Sequence, residues 1–168
     1  LVLEYDGRDK VGASQPIAMI RAQYPLLPGE YIAESGVTLD ISQHGTEYVA
    51  PLGVNMTLGA ITNDSFEYSA CYIMGDYDFT SVEVDRDNDG VYETTAILDQ
   101  GEPLFINGGI RVGARARGSK PFQCHFFVGD IYSNYESRWY TAWPLDAWSS
   151  DYFCPVGTRA GRGGGSYP

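Results

Sequence analysis

Phe79-Thr80-Ser81-Val82-Glu83-Val84, then Asp85-Arg86-Asp87-Asn88-Asp89-Gly90, then Val91-Tyr92-Glu93-Thr94-Thr95-Ala96-Ile97-Leu98 is the stretch whose reading decides the fold. Its flanks alternate apolar and polar residues and are rich in β-branched and aromatic side chains, as half-buried strands require. The middle is turn and charge, so the whole reads as a β-hairpin. Working outward, Ile110-Arg111-Val112-Gly113-Ala114-Arg115-Ala116-Arg117 alternates most cleanly and predicts a strand with one wet and one buried face. Phe122-Gln123-Cys124-His125-Phe126-Phe127-Val128 is more apolar and predicts a central strand. Upstream, Tyr31 to Ala33, Thr46 to Ala50, Asn55 to Ile61 and Tyr68 to Met74 are strand candidates bounded by Gly, Pro, Asn or Asp. Ser14 to Ala22, fenced by Pro16 and Pro25, predicts a short helical turn. The expected fold is all-β: an antiparallel β-sandwich, jelly-roll or Greek-key-like, with long loops.

Composition agrees. Twenty Gly with 13 Tyr and seven Phe is the turn-rich, aromatic-rich balance of β proteins. The 168 residues suffice for one domain, read as residues 1–158, and the Gly-rich residues 159–168 read as a flexible tail of a fragment or processed chain. No apolar run approaches the roughly 18 residues that span a bilayer, and Leu1 to Lys10 lack a signal-peptide pattern. A formal net charge of −11 argues against nucleic acid as a partner, since a phosphate-binding surface needs positive potential. The same charge favours cations.

The sharpest local pattern is Asp85-x-Asp87-x-Asp89-Gly90. Three carboxylates at alternate positions of a tight loop can converge on Ca²⁺, which takes six to eight oxygens. Gly90 turns the backbone round the ion, and Glu93 is the next acid in reach. An EF-hand would need Glu at the twelfth loop position, which here is Ala96, so the pattern fits a calcium turn between strands. An acidic, solvated hairpin tip is the competing reading.

Other chemistry is less defined. Of the two histidines, His125 reads as a hydrogen-bonded structural residue of an apolar strand, and His44 as an exposed residue of the polar loop Ser42-Gln43-His44-Gly45-Thr46. Cys124 and His125 are neighbours and on a strand must face opposite sides. No Gly-x-Ser-x-Gly elbow surrounds a serine, and 22 acids single out no hydrolytic pair. Nothing in the sequence argues for an enzyme. Cys71, Cys124 and Cys154 fit one disulfide plus a thiol, or three buried thiols. Asn55-Met56-Thr57 and Asn63-Asp64-Ser65 match the glycosylation pattern. Residues 132–153 are dense in aromatics, among them Tyr132, Tyr135, Trp139, Tyr140, Trp143, Trp148, Tyr152 and Phe153. They read as a structural lid over one end of the fold, as a sugar-stacking platform, or as a subunit interface.

Several pieces then fall in a familiar order: the hairpin loop through Glu93, Leu98-Asp99-Gln100-Gly101-Glu102, Gly113-Ala114, Ser119-Lys120-Pro121-Phe122-Gln123, Gly129-Asp130, Tyr135-Glu136-Ser137-Arg138-Trp139-Tyr140 and Pro155-Val156-Gly157-Thr158, with Tyr48 to Gly53 upstream. Across residues 45–158 the chain resembles the extracellular β-sandwich modules of prokaryotic surface proteins related to the N-terminal domain of IgG-Fc-binding proteins. The resemblance implies an extracellular or cell-surface location, a non-enzymatic structural or adhesive role, and self-association or contact with neighbouring domains in a fibre, tube or surface layer. It supplies no catalytic residues and no defined ligand. The expected function is therefore a calcium-stabilised surface module; a carbohydrate-binding module using segment 132–153, with glycans as partners, is the alternative.

Overall fold

The computed structural model describes residues 10–23, 34–56, 66–129 and 138–153. It is all-β, and every strand pairing it describes is antiparallel. The strands are β1 Ile20–Gln23, β2 Glu34–Val37, β3 Gly45–Val49, β4 Tyr68–Gly75, β5 Thr80–Asp85, β6 Thr94–Leu98, β7 Pro103–Ile106, β8 Arg115–Gly129 and β9 Arg138–Thr141. β1 and β2 form a small sheet; the other seven form one sheet.

That sheet is organised by β8. This 15-residue strand has partners on both edges. On one edge β5 lies opposite Arg115 to Gly118 and β4 opposite Phe122 to Gly129. On the other, β3 lies opposite Arg115 to Phe122 and β9 opposite His125 to Val128. β4 and β5 thus run end to end along β8, and β7 and β6 repeat the arrangement one row further out.

The rows break at one level, forming a crease. Residues 75–82 and 118–122 span the same interval on adjacent strands, so the extra backbone of 76–79 leaves the ladder. Side chains hold it there. Gln100 Nε2 donates to the Asp76 carbonyl at 2.7 Å, Gln100 N to Asp78 Oδ1 at 2.9 Å, and Lys120 Nζ to the Asp78 carbonyl at 2.6 Å. Gly75 is obligatory at this level: a Cβ there would lie 2.7 Å from the Asp99 carbonyl oxygen. At Gly118 a Cβ would meet the Phe122 ring at 2.7 Å.

Inward-facing residues of both halves join one core cluster. Val82, Val84, Tyr48 and Ala116 come from one side of the crease, and Cys71, Ile73, Cys124 and Phe126 from the other. Tyr48 and Phe122 meet at the crease with ring centroids 4.9 Å apart. The Tyr48 hydroxyl donates to the Phe122 carbonyl at 2.6 Å and accepts from Gly45 N at 2.9 Å, and burial pushes its phenol above the usual tyrosine range.

The opposite face of β4, β8 and β9 is aromatic. Tyr72 stacks on Phe105 at 4.3 Å and on Trp139 at 4.6 Å, and His125 lies 5.4 Å from Trp139. The β1–β2 sheet meets this face through the Arg21 guanidinium, 3.8 Å over Trp139, and a hydrogen bond from Thr141 Oγ1 to the Val37 carbonyl.

Five expectations need correction. Within Ser14 to Ala22 there is no helical turn: the chain bends at residues 14–15, and Ile20 onward pairs with β2, which gives its amides the partners a proline-fenced turn lacks. Ile110 to Ala114 is loop, with a turn at 112–113 and Gly113 at φ 87°; the alternation becomes strand only from Arg115. Val91 to Glu93 precede β6 rather than belonging to it. Asn55 and Met56 sit in a turn closed by Met56 N donating to the Gly53 carbonyl. His44 is buried, as set out below. The Tyr31 to Ala33 strand, residues 57–61, and the 159–168 tail lie outside the described residues.

His125 makes a pH prediction. Burial, reinforced by the Arg21 and His44 charges, pushes its pKa down to about 4, and its Nδ1 is buried without a partner. The fold therefore holds it neutral. The unfolded chain takes up the proton near pH 6.5, so stability present above that pH is lost as pH falls toward 4. We expect about 1.5 kcal/mol of this loss between pH 6.5 and pH 5, read as a falling Tm. His125→Gln should flatten that part of the Tm–pH curve; an unchanged slope would place the titration elsewhere.

Candidate metal centre

The end of β5 carries Asp85, whose carboxylate is the post round which the hairpin loop is wound. Asp85 is 1% exposed. Its Oδ1 accepts from Asn88 N at 2.8 Å and Asp89 N at 3.3 Å, and its Oδ2 from Gly90 N at 2.9 Å. Short polar side chains compete for backbone donors in this way, and here they replace the missing ladder. The loop then needs two left-handed residues, Asn88 at φ 62° and Gly90 at φ 91°, which are the residue types that tolerate that region. Asp89 Oδ1 accepts from Val91 N at 2.7 Å, and Glu93 Oε2 accepts from Arg86 N at 3.0 Å.

The consequence is convergence. Asp85, Asp87, Asp89 and Glu93 each place one carboxylate oxygen within 4.8 Å of the others. All four acids named from the sequence are thus brought together, by one buried and three more exposed side chains. Four carboxylates at this spacing repel one another, and a hard cation with oxygen ligands would relieve them. Asp87 Oδ1 is buried without a hydrogen-bond partner, and the Arg111 guanidinium stands 3.9 Å from Asp87 Oδ2. The 110–114 loop braces the site: Arg111 N donates to the Arg86 carbonyl at 2.9 Å, and a Cβ at Gly113 would lie 2.6 Å from Asn88 Nδ2. The cluster can hold a metal ion.

The aromatic segment is not one surface. Trp139 and Tyr140 belong to β9, and Trp139 is engaged by Tyr72 and Arg21. Trp143 and Trp148 flank a 3₁₀ turn, about half exposed, with Trp148 Nε1 donating to the Trp143 carbonyl at 3.2 Å. Tyr135 lies outside the described residues, as do Asn63 and Cys154. Asn55 is exposed, and its Oδ1 accepts from Val112 N at 2.8 Å.

One pair escaped the sequence reading. His44 Nδ1 lies 2.8 Å from Asp76 Oδ2, with the two side chains only 4% and 3% exposed. They border a cavity of about 280 Å³ at the crease, walled by Met19, Leu39, Met74 and Gln123. His44 is thus not the exposed loop residue expected. Positions 32 apart, on a loop and a strand end, give no local pattern, and only the crease brings them together. His44 Nε2 is buried with no partner, so no hydroxyl or thiol among the described residues hydrogen-bonds it. Cys124 and His125 face opposite sides of β8, the thiol in the core and the imidazole against Trp139.

Comparison with protein-family models, curated proteins and solved structures finds no match to this chain.

Asp85 and Asp87 should separate by role. In EDTA, Asp85→Ala leaves three amides without their acceptor and is expected to destabilise by about 3 kcal/mol, whereas Asp87→Ala should shift stability by less than about 0.5 kcal/mol. Chemical denaturation of both variants checks this; equal losses would contradict the division of labour.

Proposed function

We propose that this chain is a non-enzymatic structural or adhesive β-domain of a cell-surface assembly, stabilised by Ca²⁺ bound at Asp85, Asp87, Asp89 and Glu93. The convergence of these four carboxylates on a loop already wound round Asp85 carries the reading. Oxygen-only donors favour Ca²⁺ over softer metals, and exposed loop sites of this kind bind in the range where extracellular calcium is plentiful. The strongly acidic chain and the resemblance of residues 45–158 to surface β-sandwich modules support an extracellular location. Self-association, or contact with neighbouring domains of the same surface protein, is the partnership that resemblance implies.

A glycan-binding role is the second reading, and the half-exposed neighbours Trp143 and Trp148 favour it. It predicts hits on a glycan array that Trp143→Ala removes.

The metal test is thermal melting. Ca²⁺ at about 100 times its Kd should stabilise the fold by about 2.7 kcal/mol over the EDTA state, raising Tm by several degrees. Asp87→Ala should abolish the rise. A midpoint indifferent to both calcium and EDTA would remove the metal from the account.

A further inference from the structure

Cys71 on β4 and Cys124 on β8 both point into the core, each 1% exposed. In the register of these strands Cys71 opposes Phe126 and Cys124 opposes Ile73, so the cysteines are diagonal neighbours across the ladder. Their sulfurs nevertheless touch, with Sγ–Sγ at 3.6 Å. We propose that Cys71 and Cys124 form a redox pair, which an oxidant of the low-molecular-weight disulfide class converts into an intrachain cross-link between β4 and β8. The proposal is independent of the metal reading.

A bond needs the sulfurs at about 2.05 Å, so they must approach by roughly 1.5 Å; diagonal neighbours of a ladder stand about 7–8 Å apart at Cα, the upper limit of a disulfide, so the strands must shift as well as the side chains. The chemistry is an exchange. One cysteine thiolate attacks oxidised glutathione, forming a mixed disulfide and releasing one glutathione thiolate. The second cysteine thiolate attacks the protein sulfur of that mixed disulfide, closing the bond and releasing the other glutathione. The two protons that leave the cysteines end on the two released glutathione thiolates, and two electrons pass to the oxidant.

Burial controls when this happens. Desolvation, together with the Cys71 contact, pushes the Cys124 thiol well above its usual range, so little thiolate exists in the folded state. With each thiol only 1% exposed, glutathione does not reach either one while β4 and β8 stay packed. The reaction must therefore run while the chain folds, or through rare openings of the β4–β8 pair. The cross-link would close the 53-residue separation between the two positions, which holds β5, β6 and β7. It would act on the unfolded chain by removing loop entropy.

The test uses the full chain and its Cys154→Ser variant, each refolded in a glutathione redox buffer, alkylated, and digested without reductant for mass spectrometry. The expected result is a peptide joined through Cys71 and Cys124 in both chains, with Cys154 alkylated in the full chain. The cross-linked Cys154→Ser chain should melt roughly 5–10 °C higher than its reduced form. Native reduced protein should resist alkylation at both core cysteines for as long as it stays folded. A cross-link to Cys154 instead, or two alkylatable thiols in Cys154→Ser after oxidative refolding, would overturn the proposal. So would rapid alkylation of Cys71 or Cys124 in the native state.

Discussion

β8 is hydrogen-bonded on both edges along most of its length, and that double pairing is the constraint from which the rest of the structure follows. Because β4 and β5 share one edge and β9 and β3 the other, both halves of the sheet depend on a single continuous backbone. In a flat sheet the inner face would stand open to water. Here Tyr48, Phe122, Ile73, Val82 and Val84, from both sides of the crease, are buried to within 2% in one cluster, so the halves face each other and the sheet approaches closure. Each buried side chain of this size contributes about 1.5–3 kcal/mol, and none would do so without the bend.

The crease also positions the chemistry. At one end of β5 it creates the turn that buries His44 against Asp76; at the other, β5 delivers Asp85 to the base of the hairpin with its partner Arg115 on β8. Asp85 has two tasks. It caps three loop amides, which fixes the loop by hydrogen bonds alone, and one of its oxygens stands within 4.8 Å of oxygens of three further acids. Preorganisation of this kind lowers the entropy lost when a ligand binds.

What the sequence reveals follows from the range of the interactions. The hairpin and the acidic loop are local: their pattern, turn residues and spacing all lie within 20 residues, and the hairpin forms, with its second strand starting at Thr94 rather than Val91. The apolar run from Phe122 to Val128 is a central strand because only burial on both faces permits such a run. Long-range register is different. Nothing near Cys71 names Cys124 as its neighbour, and nothing near His44 names Asp76. The alternation from Ile110 to Arg117 misled for a related reason: Ile110 and Ala114 are both buried, yet they reach the core from a loop that braces the acidic cluster. Alternation does not say whether the backbone between buried positions is paired, and in this loop it fails for Val112, which is exposed.

Hydrogen exchange of the native protein, resolved along β8, tests the shared-strand account most directly. If one backbone unites both halves, amides from Arg115 to Gly118 and from Phe122 to Gly129 should exchange with the same, slowest protection and lose it together as denaturant is added. Early loss of protection in one segment while the other stays protected would mean two independent sheets, and would contradict it.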